Sequence, residues 1–313
     1  MNVLKVEDIS KDTNIFNWEN YSKMANKNTH LIKLIEETIL KKEKFYSIEL
    51  VSEKDFENYQ RFFDEKRKLF PLFQSVTWHC KENANKLDIK NIEPLKIIEK
   101  LPSNTLLHLA ARGLTKETVK TILNRANELN VKNIFALQGD SFVELEEPGE
   151  FSHASDLVTF IRQEFNSFCI CVAGYPEMHP KSQTKEQDLF WLKAKIDAGA
   201  DFIISQIFFD AQIFIKFVKD CRLLNITVPI IPGIFPITNY KSLKKISTIC
   251  HVEIPQNLLS TLEIIKDNDE KVEKFGKQFT KELINEVLQS GFANGFHLFT
   301  FNRLSTIADI LEM

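Results

Sequence analysis

Glycine is scarce, with nine in 313 residues and no two in G-x-G spacing. The chain therefore carries neither the dinucleotide-binding fingerprint nor a phosphate-binding P-loop, and any nucleotide must be held by other means. Cysteine is scarce too. The five (Cys80, Cys169, Cys171, Cys221, Cys250) are odd in number and include no C-x-x-C pair, which fits neither a disulfide framework nor a zinc knuckle. Cys169 and Cys171, two apart in an apolar run, read as small core residues on one face of a strand. No stretch approaches the roughly 18 uncharged apolar residues of a membrane helix. The opening MNVLKVEDISKDTN mixes acids with bases where a secretory signal needs about 7 to 15 apolar residues. An intracellular, cytoplasmic protein is the expectation. There is no excess of charge either: 40 basic against 43 acidic residues leave a net −3, scattered along the chain. No basic field is available to track a phosphate backbone, so neither nucleic acid nor a membrane is expected as a partner.

What is present is a regular alternation. Short runs rich in β-branched and aromatic residues occur at 45–50, 74–79, 105–110, 133–138, 168–174, 201–209, 228–234 and 295–301. Amphipathic helical patterns lie between them, such as LTKETVKTILNRANEL, ASDLVTFIRQEF, QDLFWLKAKIDAGA and DAQIFIKFVKDCRLL. Gly199 is positioned as a helix C-cap, and Asp156, Asp188 and Asp210 are expected in first helical turns. Eight strands separated by helices predict an α/β chain folded as a (β/α)8 TIM barrel, because parallel neighbours need crossovers and closure removes the sheet edges. Residues 17 to about 43 read as an extra helix covering the bottom or side of the barrel. Residues 255–290 read as two polar helices inserted before the last strand. The expected organisation is an N-terminal extension over 1–44 and one catalytic barrel over 45–313, with no repeat or linker to suggest a second domain.

The active site of such a barrel lies at the C-terminal ends of its strands. The polar residues found there are Glu49, Thr77 and His79, His108, Gln138 with Gly139 and Asp140, Tyr175 with Glu177 and His179, Gln206, and Asn302 with Arg303. A single His or Gln at a strand end is more often structural than functional; so many on one rim indicate a large polar ligand. The helix N-terminus at Ala154 and Ser155 is a natural seat for phosphates.

Read as motifs, the segments SVTWH (75–79), NIFALQGD (133–140), ASDLV (154–158), ICVAGYPEMHP (170–180), AGADFIISQIFFDA (198–211), PIIPGIFPI (229–237) and TFNR (300–303) resemble methylenetetrahydrofolate reductase, particularly the animal form, in the family's order and spacing. The resemblance covers about residues 45–313 and implies the catalytic domain without the S-adenosylmethionine-binding regulatory domain of animal enzymes. It implies reduction of 5,10-methylenetetrahydrofolate to 5-methyltetrahydrofolate through bound FAD, recharged in a separate half-reaction by NADPH or NADH, within one-carbon and methionine metabolism. Carried over residue by residue, Glu49 is the general acid and Asp140 sits beside flavin and pterin. Thr77, His108, Gln138, Gly139, Asp140, His153, Ala154, Tyr175, His179, Asp188 and Lys195 hold FAD, and Asp140, Gln206 and Arg303 contact the folate. A general acid needs a carboxyl protonated near neutral pH, hence burial among apolar neighbours. Asp188 and Lys195, seven apart, lie on one helical face, although a charge pair on a helix is ordinarily a solvated face.

The chain departs from the family at several points. Leu50-Val51-Ser52-Glu53 replaces Phe-Phe-Pro-Pro, Gln138 replaces the Arg of Arg-Gly-Asp, His153 stands where Tyr is common, Ala110-Ala111 replace Thr-Cys, and Ser242 stands in place of a Gln. Two other readings remain: a degenerate barrel that binds folate or flavin without turnover, and a metal-dependent barrel hydrolase using His79, His108, His179 and Asp140. The partners expected are a small-molecule folate and a nicotinamide, with no metal; a homo-oligomer is left open.

Overall fold

The computed structural model describes residues 29–51, 56–66, 69–78, 89, 92–101, 104–139 and 149–311. The apolar runs become strands β1 (Phe45–Leu50), β2 (Phe73–Val76), β3 (Thr105–Ala110), β4 (Asn133–Leu137), β5 (Cys169–Gly174), β6 (Phe202–Ile207), β7 (Ile230–Ile234) and β8 (Gly295–Leu298). They pair in parallel in sequence order and close into a barrel, with Phe45 opposite Gly295 at the closure. The expected (β/α)8 architecture is the one found. Alternation sorts the side chains: Phe45, Ser47 and Glu49 of β1 point into the barrel, while Tyr46, Ile48 and Leu50 pack outward under the helices.

The helices are α1 (Leu31–Leu40), α2 (Phe56–Glu65), α3 (Glu93–Ile98), α4 (Lys116–Glu128), α5 (Ala154–Glu164), α6 (Lys185–Asp197), α7 (Ala211–Leu223), α8 (Tyr240–Cys250), α9 (Gln256–Ile265), α10 (Asp269–Gln289) and α11 (Leu304–Leu311). Side chains cap several of them, as where Thr184 accepts from Gln187 N at 3.2 Å and Asn239 from Ser242 N at 2.7 Å. Asp210 does the same for α7, accepting from Gln212 N at 2.8 Å. It is thus the N-cap, one position ahead of the first turn expected for it. The insertion over 255–290 is the expected pair of helices, α9 and α10. Gly276 of α10 lies where a Cβ would come within 2.1 Å of Ile237 O, so only glycine lets this helix cross the segment after β7 so closely.

Helix α1 closes the N-terminal mouth. Leu31, Leu34 and Ile35 join Phe45, Phe73, Leu106 and Phe202 in one buried cluster, and Leu31 N donates to Asn133 Oδ1 at 2.7 Å. The helix expected over 17–43 is observed over 31–40; residues 17–28 lie outside the described residues. Several strands are shorter than the alternation suggests. β8 stops at Leu298 instead of 301 because Phe301 and Asn302 take left-handed backbone, φ +49° and +62°. β6 ends at Ile207 after a register shift between Ile204 and Ile207. Among the described residues no helix is long and apolar enough to cross a membrane.

Candidate active site

With α1 filling one end of the barrel, the open end is where the strands deliver their C-terminal residues, and its two opposite walls differ. The first is built from β1 and β8. Glu49 is only 8% exposed, and no described side chain pairs with its carboxyl. Burial alone raises its pKa from the ordinary 4.5 to about 7. The strand end carrying it is fastened across the barrel seam. Thr300 Oγ1 donates to Glu49 O at 3.3 Å, Asn302 Nδ2 donates to Val51 O at 3.0 Å, and Val51 N donates to Asn302 Oδ1 at 2.8 Å. Left-handed backbone suits Asn and strains Phe, so the paired bonds of Asn302 hold Phe301 in a conformation it would otherwise avoid.

Beneath Glu49, His297 lies fully buried between Ser47 Oγ (2.8 Å to Nδ1) and Ser75 Oγ (3.4 Å to Nε2). Burial first, then the neighbouring His108, lowers its pKa to about 3, so the ring is neutral at ordinary pH. The floor of this wall thus offers the carboxylate form of Glu49 no compensating charge. Thr77 and His108 are buried at the ends of β2 and β3, His108 edge-on to Phe135 with 4.8 Å between ring centres.

The second wall comes from β4, β5, α5 and α6. Gly139 has φ +92°, and a Cβ there would meet Ala110 Cβ at 3.2 Å and Arg112 Cβ at 3.3 Å. The backbone therefore passes close to β3, where a side chain at this position would not fit. Gln138 donates from Nε2 to Ser152 O; Asp140, like His79, lies outside the described residues. His153 precedes α5, whose Asp156 accepts from Ser152 N at 3.0 Å and His153 N at 2.9 Å. The next two amides, of Ala154 and Ser155, have no acceptor among the described residues. Tyr175 and His179 meet edge to face at 4.6 Å. Asp188 Oδ1 accepts from His179 N at 3.2 Å and Ser182 Oγ at 3.0 Å. Lys195 Nζ donates to Ala173 O at 2.5 Å and lies 5.7 Å from the centre of the Tyr175 ring. Burial lowers the Lys195 pKa to about 8 while the Asp188 charge opposes the fall; burial also lowers that of His179.

Gln206 and Arg303 stand on other strands. Gln206 bends at the β6 irregularity so that its Oε1 accepts from Ile207 N at 2.8 Å. Arg303 is exposed, bonded to Thr238 Oγ1 and to Ser242 Oγ at 3.5 Å. The structure thus gathers Tyr175, His179, Asp188 and Lys195 into one cluster, with Gln138, His153 and Ala154 along the same wall, and sets Glu49 apart on the other. No group of three or more His, Cys, Asp or Glu suited to a metal occurs among the described residues. Sequence reasoning missed the Asn302 clamp and the Ser47–His297–Ser75 column. Asn302 sits inside the TFNR segment and was read only as one polar residue of the rim, not as a clamp on the backbone, and the column shows in sequence as three small or polar residues on inward positions of apolar strands.

The chain matches the family model for methylenetetrahydrofolate reductase over residues 34–313. It is 37% identical over 287 residues to a probable methylenetetrahydrofolate reductase (NADPH) of Caenorhabditis elegans, an alignment covering 89% of this chain and 43% of that one. It is 35% identical over 276 residues to methylenetetrahydrofolate reductase (NADH) 1 of Arabidopsis thaliana, covering 82% and 46%. With the 5,10-methylenetetrahydrofolate reductase of Buchnera aphidicola subsp. Baizongia pistaciae it shares 33% identity over 300 residues, covering 94% and 98%. The chain thus spans about half the length of the nematode and plant relatives. Among solved structures, a Clostridium thermocellum protein described as binding two copies of 5-methyl-5,6,7,8-tetrahydrofolic acid superposes with a TM-score of 0.62 at 17% identity, covering 89% of this chain and 98% of that one, which supports the fold.

Proposed function

Since the chain belongs to the methylenetetrahydrofolate reductase family, we propose that it reduces 5,10-methylenetetrahydrofolate to 5-methyltetrahydrofolate, using FAD and NADPH or NADH. The observation that carries this reading is Glu49: a buried carboxyl at a strand end, raised to about 7 with no partner among the described residues to hold it ionised. Such a group still carries its proton near neutral pH and can give it to a ring nitrogen of the substrate as the five-membered ring opens. Opening leaves an iminium carbon able to accept hydride; Glu49 is left as the carboxylate and regains a proton from solvent. FAD held on the second wall would supply the hydride chemistry that links the nicotinamide to that carbon.

The second wall fits such a cofactor by the chemistry of its donors. The Lys195 ammonium and the open amides of Ala154 and Ser155 suit a diphosphate. Gly139 keeps the backbone against Ala110 and Arg112 and puts no side chain into that strand end. Thr77, His108, Gln138, Tyr175, His179 and Asp188 complete the set that would hold it, with Asp140 beside flavin and pterin. Gln206 and Arg303 would hold the folate, Arg303 toward its glutamate arm. On the same reading residues 1–44 are an extension packed on a barrel over 45–313.

The test is the visible spectrum of the purified chain, followed by anaerobic NADPH or NADH and then methylenetetrahydrofolate. A flavin band near ~450 nm that bleaches with the nicotinamide and returns with the folate is the expected result. A folded, colourless protein that takes up no added FAD overturns it and leaves a binding barrel without turnover.

A further inference from the structure

On α10, Lys281, Ile284, Asn285 and Leu288 recur at i, i+3, i+4 and i+7 and so share a face. That face does not close on the strands. With Tyr46 and Phe296 beneath it and α11 beside it, it lines a cleft of about 440 Å³, part of it open to solvent. The cleft lies behind the barrel seam, on the helix side of β1, whereas Glu49 points to the barrel side three residues further along the strand. Its walls are mostly apolar. Tyr46 stacks on Phe296, its neighbour across the seam, with 6.1 Å between ring centres at 25°. Pointing outward from the strand, it carries its hydroxyl into the helix layer. There the oxygen is buried and meets no hydrogen-bond partner among the described residues. Burial also raises the pKa of this hydroxyl, so it keeps its proton and stays a donor. A buried donor left unmet carries the desolvation penalty of that group with nothing to offset it. An apolar cleft with such a donor in its wall is complementary to an apolar body carrying an acceptor.

We propose that the cleft between β1, β8, α10 and α11 binds a small apolar molecule bearing a carbonyl oxygen, which the Tyr46 hydroxyl takes as its hydrogen-bond partner. The site is separate from both walls of the active site and does not depend on how they are read. Its occupant bridges the first strand, the last strand and the helices that cover them, so binding stabilises the seam from behind.

The experiment titrates the full chain with acetophenone and with ethylbenzene, a body of similar shape without the acceptor, and reads both affinities by NMR. The wild type is expected to bind acetophenone roughly 2- to 10-fold more tightly, and Tyr46→Phe to erase that preference while still binding ethylbenzene. Without ligand, Tyr46→Phe should be at least as stable as the wild type, since the hydroxyl it removes has no partner. A clear loss of stability would mean that the hydroxyl is already satisfied, and overturns the inference. Leu288→Trp, which fills the cleft from a half-buried position, should abolish binding of both probes; if that variant does not fold, the Tyr46→Phe comparison decides alone. Equal affinity of the wild type for the two probes overturns the inference, as does undiminished binding by a folded Leu288→Trp chain. A wild type that binds neither probe overturns it and leaves the cleft to water, or to a second copy of the chain if the wild type self-associates and Leu288→Trp does not. FAD and methylenetetrahydrofolate should leave the acetophenone affinity unchanged; displacement by either would place the probe in the active site and overturn the inference too.

Discussion

The β1–β8 wall and the β4–β5 wall bury ionisable groups of opposite sign and treat them differently. On the first, Glu49 has no partner among the described residues: desolvation meets no opposing charge there, and the carboxyl moves up to about 7. On the second, Lys195 is drawn down by the same desolvation to about 8, but Asp188 pushes back and the ammonium stays charged at neutral pH. Burial without a partner makes a group that exchanges its proton; burial with one makes a fixed charge. The first suits chemistry and the second suits holding an anion.

The largest test of this contrast is Glu49→Gln. It should slow the folate half-reaction by about 10²- to 10⁴-fold and leave bleaching by the nicotinamide unchanged, as read by anaerobic stopped-flow on each half. In the wild type, the folate half-reaction should fall as pH rises through about 7, where the Glu49 carboxyl loses its proton. The same substitution bears on stability. The folded pKa of Glu49 is raised, so the folded chain binds the proton more tightly than the unfolded one. The wild type therefore loses stability from about pH 4.5 to about pH 7 and no more beyond. That difference is worth about 3 kcal/mol. Urea denaturation across this range should show the slope in the wild type and its absence in Glu49→Gln.

A smaller effect is expected on the other wall. Lys195→Met should weaken FAD binding by about 10- to 100-fold, the loss of one charge-assisted contact, without moving the pH inflection of the folate half-reaction. A moved inflection would mean that the walls are coupled. Smallest is Asn302→Ala, which removes both bonds to the Val51 backbone and leaves an alanine in left-handed backbone. A cost of about 1–2 kcal/mol in denaturation midpoint is expected, together with a slower folate half-reaction and unchanged FAD affinity.

How much of this could be read from the sequence depended on how local the cause is. β1 and β3 end where expected, because each apolar run is punctuated by its own neighbours. β8 was overextended because the alternation of FHLFTF continues for three residues past the strand's end at Leu298, up to the left-handed backbone at Phe301, and alternation carries no sign of φ. The gathering of Tyr175, His179, Asp188 and Lys195 was legible since all four fall within one strand-loop-helix unit and match a family pattern. The Asn302 clamp was not. Its partners are main-chain atoms 251 positions away, and a backbone acceptor leaves no trace in composition. The uncompensated burial of Glu49 was legible only as apolar neighbours on β1; that His297 beneath it is neutral is a property of the closed barrel.

That seam also has a history in time. The wall around Glu49 joins the first strand to the last, whereas the opposite wall is made of strands adjacent in sequence. A chain still emerging or refolding can assemble the β4–β5 side early from short loops, but must wait for the end of the barrel before the long β1–β8 loop is closed. Until then Glu49 stands in water as an ordinary acid. The raised pKa of its carboxyl, on which the proposed proton transfer rests, depends on the seam being closed and is lost where the seam frays.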